Sequence, residues 1–245
     1  MVYMGSKSRF AKDIVPILQK TIDDNNVDTY IECFVGGANI IDKIKCEKRY
    51  GYDRSDTLIA LLKTATEDWD KVLKTPNREL WDKGKGYVKD GIMPEDMSLS
   101  DIGAMEFFAS YSAGGYPRGY VESTPSADYF KRRYTNLMKQ VPSLKGVIFN
   151  CQNYWELPPV KGAVIYLDPP YANTKKYGYA NQPSMDYEHF WNWVRELSKD
   201  NFVYISEQVA PDDFEIVWEK EARRLTNKKN DFMGVERLFK WKGTE

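Results

Sequence analysis

The chain has 245 residues, enough to bury a full core as one large domain or as a domain carrying an inserted subdomain. With 42% hydrophobic and 29% charged residues, no apolar run near the ~18 residues of a membrane span and no signal-peptide pattern at the amino terminus, a cytoplasmic globular protein is expected. The formal charge of -1 argues against a uniformly basic nucleic-acid binder, while a single histidine, His189, and three cysteines without metal-type spacing argue against Ser-His or Cys-His catalysis and against zinc.

In chain order, residues 28–34 have strand character, and Val35-Gly36-Gly37-Ala38-Asn39 follows as a turn into a helix expected over 40–48. Residues 50–53 predict a second short strand ending in an acid, with Ser55 or Asp56 capping the helix that carries Leu58, Leu61 and Leu62. Asp53 falls about sixteen residues past Gly37. In doubly wound folds an acid at such a place accepts both hydroxyls of a ribose, and the glycines let the backbone approach the ligand. A Gly-Gly turn is common elsewhere, so this spacing favours a nucleoside-type ligand without naming it.

From about residue 67 the alternation of strand and helix stops. Gly84, Gly86, Gly91 and Pro94 punctuate polar sequence, and residues 84–100 read as a flexible stretch before an apolar and aromatic helix over 102–112. Between Arg118 and Lys145 the bases Arg118, Lys131, Arg132, Arg133, Lys139 and Lys145 outnumber the acids Glu122 and Asp128. Tyr116, Tyr120, Tyr129, Phe130 and Tyr134 are interleaved with them, as in segments that neutralise phosphates and stack on bases. The competing reading is an amphipathic helix over about 126–141 with its aromatics in the core and its charges in water.

The pattern of alternating strand and helix resumes with strands over 146–150 and 163–167, a helix over 186–199 and a strand over 202–206. A terminal ribbon of 214–224 and 237–241 follows, with helix as the alternative for its first arm. Asp168-Pro169-Pro170-Tyr171 stands at the end of the apolar run 162–167, at the sheet edge where ligands bind in open α/β folds. Two prolines fix φ and remove two donors, leaving a stiff corner with an acid before it and a ring after it. Such a corner suits a planar, amine-bearing ring; a plain strand-ending turn is the alternative.

These pieces together resemble the S-adenosylmethionine-dependent DNA adenine-N6 methyltransferases of the Dam-like, D12 class of phages and bacteria. Tyr3-Met4-Gly5-Ser6-Lys7 resembles the family's amino-terminal segment, and Glu32-Cys33-Phe34-Val35-Gly36-Gly37 its glycine motif, with Cys33 in place of the usual proline. Asp53 matches the ribose acid, Asp168 to Tyr171 the catalytic motif, and Tyr177-Gly178 and Ile205-Ser206-Glu207 also fit. Asn153 stands where the family often has an aspartate.

The resemblance implies a doubly wound, mostly parallel α/β sheet of Rossmann-like methyltransferase type with a terminal antiparallel strand. The catalytic domain would comprise residues 1–66 and 146–245, and an inserted, mainly helical target-recognition subdomain residues 67–145. It implies a cofactor site of Tyr3, Lys7, Phe34, Gly36, Gly37, Asp53, Asn153 and Asp168. Catalysis would fall to Asp168, Pro169, Pro170 and Tyr171, with no metal. Arg118, Lys131, Arg132, Arg133 and Tyr177 would contact DNA, a duplex with one adenine flipped out. A solvated Lys7 in a basic arm is the plainer alternative. An RNA adenine-N6 enzyme, a cytosine-N4 enzyme and a non-catalytic DNA-binding protein of the same fold are the functional rivals.

Overall fold

A computed structural model describes residues 1–122, 124, 127–171, 185–222 and 234–243. The chain enters through an extended segment and one 3-10 turn, Lys7–Arg9, into α1 (Ala11–Asp24), which buries Ile14, Leu18 and Ile22 along one stripe. Strand β1 (Thr29–Cys33) follows, and then the glycine turn.

The helix expected over 40–48 is a single 3-10 turn, Ile41–Lys43. Phe34, Gly36 and Ala38 all take positive φ, which consumes the chain in a tight winding turn, and Ile44 is already extended. Arg49 donates to the Ile41 and Ile44 carbonyls, which a continuing helix would have used internally. Strand β2 (Lys48–Asp53) leads to α2 (Asp56–Glu67), capped by the Ser55 hydroxyl on the Leu58 amide.

Helices α3 (Arg78–Asp90), α4 (Leu99–Phe108) and α5 (Tyr129–Leu144) lie between β2 and the next strand. The stretch read as flexible is in part α3, which runs through Gly84 and Gly86 and stops at Gly91, left-handed at φ 74°. Gly84 is there for contact: a Cβ on it would lie 2.0 Å from the Tyr116 hydroxyl oxygen. Helix α4 begins earlier and ends earlier than expected, held at its start by the Ser98–Asp101 capping box. Helices α4 and α5 pack on α2, and α3 on α4, in the same buried cluster as the sheet face carrying Tyr30, Phe149 and Tyr166.

Strands β3 (Val147–Cys151) and β4 (Val164–Leu167), helix α6 (Tyr187–Ser198), β5 (Phe202–Glu207), β6 (Phe214–Ala222) and β7 (Gly234–Trp241) complete the chain. The sheet order is β3-β2-β1-β4-β5-β7-β6, with β7 antiparallel to both neighbours and the pairings from β3 to β5 parallel. The first arm of the ribbon, for which helix was the alternative, is strand. Helix α6 covers the face opposite α1 and α2, over Ile31, Ile165 and Val203. This is the doubly wound, mostly parallel α/β sheet with an antiparallel strand near its end that was expected. The order reverses between β1 and β4, so the crevice for a ligand opens at their carboxyl ends.

Candidate active site at the carboxyl edge of the sheet

Side chains alternate across a strand, so Tyr166 and Asp168 share one face of β4, and Tyr30 and Glu32 the same face of β1. The Tyr30 hydroxyl donates to Glu32 at 3.1 Å, and Tyr166 exchanges a 2.7 Å hydrogen bond with Ser206 at the end of β5. Burial pushes the Glu32 carboxyl well above the usual carboxylate range.

Asp168 lies just beyond the strand, its side chain 18% exposed, and Lys7 reaches it from the amino-terminal turn at 2.6 Å. Burial pushes the Asp168 carboxyl up to about 6; Lys7 opposes that rise and the Glu236 carboxylate adds to it. The Lys7 ammonium also stands 4.5 Å over the centre of the Tyr171 ring. Burial raises the Tyr171 phenol above its ordinary value, and its hydroxyl donates to Glu236 on β7. Past the corner, the Tyr187 hydroxyl donates to the Pro170 carbonyl and ties the two prolines to α6.

At the ends of the next two strands, β1 and β2, the residues singled out for a cofactor meet beside the reversal point. Asp53 accepts the Gly36 amide through Oδ2 at 3.1 Å and the Ser55 amide through Oδ1 at 3.0 Å. Each oxygen keeps a second acceptor site, so the carboxylate is fixed without being exhausted. Tyr3 lies on the glycines: a Cβ on Gly36 would be 2.9 Å from its ring, and one on Gly37 2.8 Å from its Cβ. Gln140 of α5 donates to the Gly37 and Ala38 carbonyls and fixes the turn from behind. Phe34, at φ 62°, packs 5.5 Å from Tyr154 as an aromatic wall. Asn153 starts the turn after β3 and forms a capping box with Glu156. A carboxyl floor for a diol, a glycine turn covered by Tyr3 and an aromatic side wall together suit an adenosine group.

The residues expected to touch DNA divide. Arg118 is exposed on the loop after α4, beside Met4 of the amino-terminal segment, its Nη2 3.5 Å from the Met4 sulfur. The pairing of Ser110 with Tyr120 closes that loop, and Tyr111 stands 63% exposed on it. Lys131 and Arg132 are exposed on α5. Arg133 is a correction: it is 4% exposed and donates to the Phe108 and Ser110 carbonyls at 2.9 and 2.6 Å. It closes the carboxyl end of α4 and cannot meet a phosphate. Tyr116 and Phe130 are core residues, packed on Trp81 and Phe108. Tyr177 and Gly178 lie outside the described residues.

Residues 3–91 match the family model of the D12 class N6 adenine-specific DNA methyltransferases. The motifs at Tyr3 to Lys7, Glu32 to Gly37 and Asp53 fall inside that span; Asp168 to Tyr171 lies beyond it. The match supports a methyltransferase and implies S-adenosylmethionine as methyl donor. Among solved structures, the chain is similar to SMU.472, described as a candidate methyltransferase complexed with SAH, at 9% identity and a TM-score of 0.32. That alignment covers 96% of this chain and 54% of the other, so the chain spans about half of that structure's length. Likeness at that level adds nothing to the topology. No curated protein matches the chain.

Sequence reasoning missed Glu236. The acid sits far along the chain in a ribbon arm whose antiparallel direction is needed to bring it to this edge, and no local motif marks it.

Proposed function

We propose that the protein transfers the methyl group of S-adenosylmethionine to the exocyclic N6 amine of an adenine in DNA. The observation that carries this reading is the half-buried Asp168 carboxylate, one strand from the glycine turn and two from Asp53, with the Tyr171 ring beside it.

An adenine amine is a weak nucleophile because its lone pair is delocalised into the ring. The bound cofactor supplies an already electrophilic sulfonium methyl, so the protein's task is position and polarisation. Asp168 would accept one N6 hydrogen and the Pro169 carbonyl the other, turning the nitrogen lone pair toward the methyl. As the N–C bond forms the cofactor's S–C bond would break, S-adenosylhomocysteine would leave, and the surplus N6 proton would pass by way of Asp168 to water. Tyr171 stacks on the base, which has left the duplex to reach the pocket. Asp53 takes the ribose hydroxyls, Phe34, Gly36 and Gly37 form the floor, and Tyr3 and Lys7 border the methionine end. Asn153 lies toward the cofactor adenine. Residues 67–145 serve as the target-recognition part, with Arg118, Lys131 and Arg132 on phosphates or base edges. Their exposure supports this assignment, as does the contact between the Arg118 loop and the segment that carries Lys7. No helix among the described residues is long and apolar enough to cross a membrane.

The test is to offer tritiated S-adenosylmethionine with duplex DNA, single-stranded DNA or RNA. Label is expected in DNA. Label in RNA alone would replace the substrate, and label in none would favour a binding protein of the same fold.

A further inference from the structure

Glu236 takes no part in the chemistry above, yet it touches two of the groups that do. Strand β7 runs against β5, with Glu207 opposite Arg237, so residue 236 falls just past the carboxyl end of β5. Glu236 shares a strand face with Leu238, which packs in the cluster holding Tyr166. Its side chain is 8% exposed; Oε1 accepts the Tyr171 hydroxyl and lies 3.6 Å from Lys7 Nζ. Lys7 is thus held between two carboxylates, 2.6 Å from Asp168 and 3.6 Å from Glu236, over the ring of Tyr171.

This arrangement contains a conflict. The target base requires an oxygen of Asp168 and the face of Tyr171, and the Lys7 ammonium lies against both. A buried ammonium drawn away from its nearer carboxylate is strongly unfavourable unless another anion takes up the charge. Glu236 is that anion, about an ångström further away, and it also anchors the ring by its hydroxyl.

We propose that Glu236 is a positioning residue for methyl transfer: it receives Lys7 from Asp168 as the target amine arrives and fixes the Tyr171 ring for stacking. This rests on the adenine methyl-transfer reading. Among the described residues, the charged and titratable groups around the exchange include Lys7 from the amino-terminal turn, Glu32 from β1, Tyr166 and Asp168 from β4, and Tyr171 beyond it. Lys220 stands opposite Glu236 on β6 and pairs with Asp13.

Glu236→Gln keeps the shape and an acceptor for Tyr171 and removes the charge. Single-turnover methyl transfer at saturating cofactor and DNA is expected to fall by about tenfold, with the cofactor Kd unchanged within about twofold. The acid limb of the rate profile should move to lower pH, because Glu236 no longer raises Asp168. A rate within about twofold of wild type with an unmoved limb would overturn the proposal. If wild-type protein labelled no nucleic acid, the parent reading would fail separately, and a denaturant cycle would still decide the pairing. Glu236→Gln should then lower the unfolding midpoint less in a Lys7→Met background than in wild type. Additive shifts would contradict it.

Discussion

The carboxyl edge of the sheet and the helical stretch between β2 and β3 draw on the same residue types and use them oppositely. At the edge, Lys7 is buried between Asp168 and Glu236 and Tyr171 offers its ring to a cation. In the helical stretch, Lys131 and Arg132 stand in water while Tyr116 and Phe130 fill the core beneath them. A buried charge must be paired and is therefore held in one geometry; a solvated charge is free to follow a polymer. On the proposed reading the first region serves the chemistry and the second attracts phosphates without committing to one geometry. Arg133 shows that residue type alone does not assign a side chain to either use, since it lies in the basic run and is buried.

The sharpest way to break this contrast is to remove the fixed acid. Asp168→Ala is expected to lower single-turnover methyl transfer on the order of 10²–10³-fold while cofactor binding stays measurable by calorimetry; near-normal turnover would disprove the assigned role.

Next comes pH. The Asp168 carboxyl is raised by burial to about 6, and on the proposed mechanism its charged form is the stronger acceptor for the amine hydrogen and the partner of Lys7. As pH falls through that value, kcat/KM should drop about tenfold per unit, with a plateau above it. A flat profile from about pH 5 to about pH 8 would contradict the titration of Asp168.

The exposed cations should respond in affinity and not in rate. Replacing Arg118, Lys131 and Arg132 together by Ala should weaken binding to any duplex and flatten the slope of log K against log salt by about 0.9 for each phosphate no longer neutralised. An unchanged slope would place the DNA elsewhere. Arg133→Met, by contrast, should leave the slope alone. It should cost about 2 kcal/mol in denaturant unfolding, since it orphans the Phe108 and Ser110 carbonyls.

What could be read from the sequence was what is local. Asp53 and Asp168 each end a short strand, and the strand and its terminal residue are contiguous, so their place at one sheet edge followed from fold class. Asp168 to Tyr171 carried its own stiffness in two prolines. Three things were out of reach for physical reasons. The turn after β1 replaces a helix because Phe34, Gly36 and Ala38 wind through positive φ, which apolar periodicity does not reveal. Helix α1 went unread although Ile14, Leu18 and Ile22 mark its buried stripe, with Pro16 inside it as a contrary local signal. Glu236 depends on the direction of the last strand, a tertiary fact.

Everything proposed for the site turns on what Asp168 holds. The decisive measurement is mass spectrometry of nucleosides from unmethylated genomic DNA incubated with trideuteromethyl-labelled cofactor and either wild-type protein or Asp168→Asn. Labelled N6-methyldeoxyadenosine is expected from the wild type and near-background signal from the variant, with cofactor bound by both. Equal yields from the two proteins, or label on cytosine instead of adenine, would contradict the assigned chemistry.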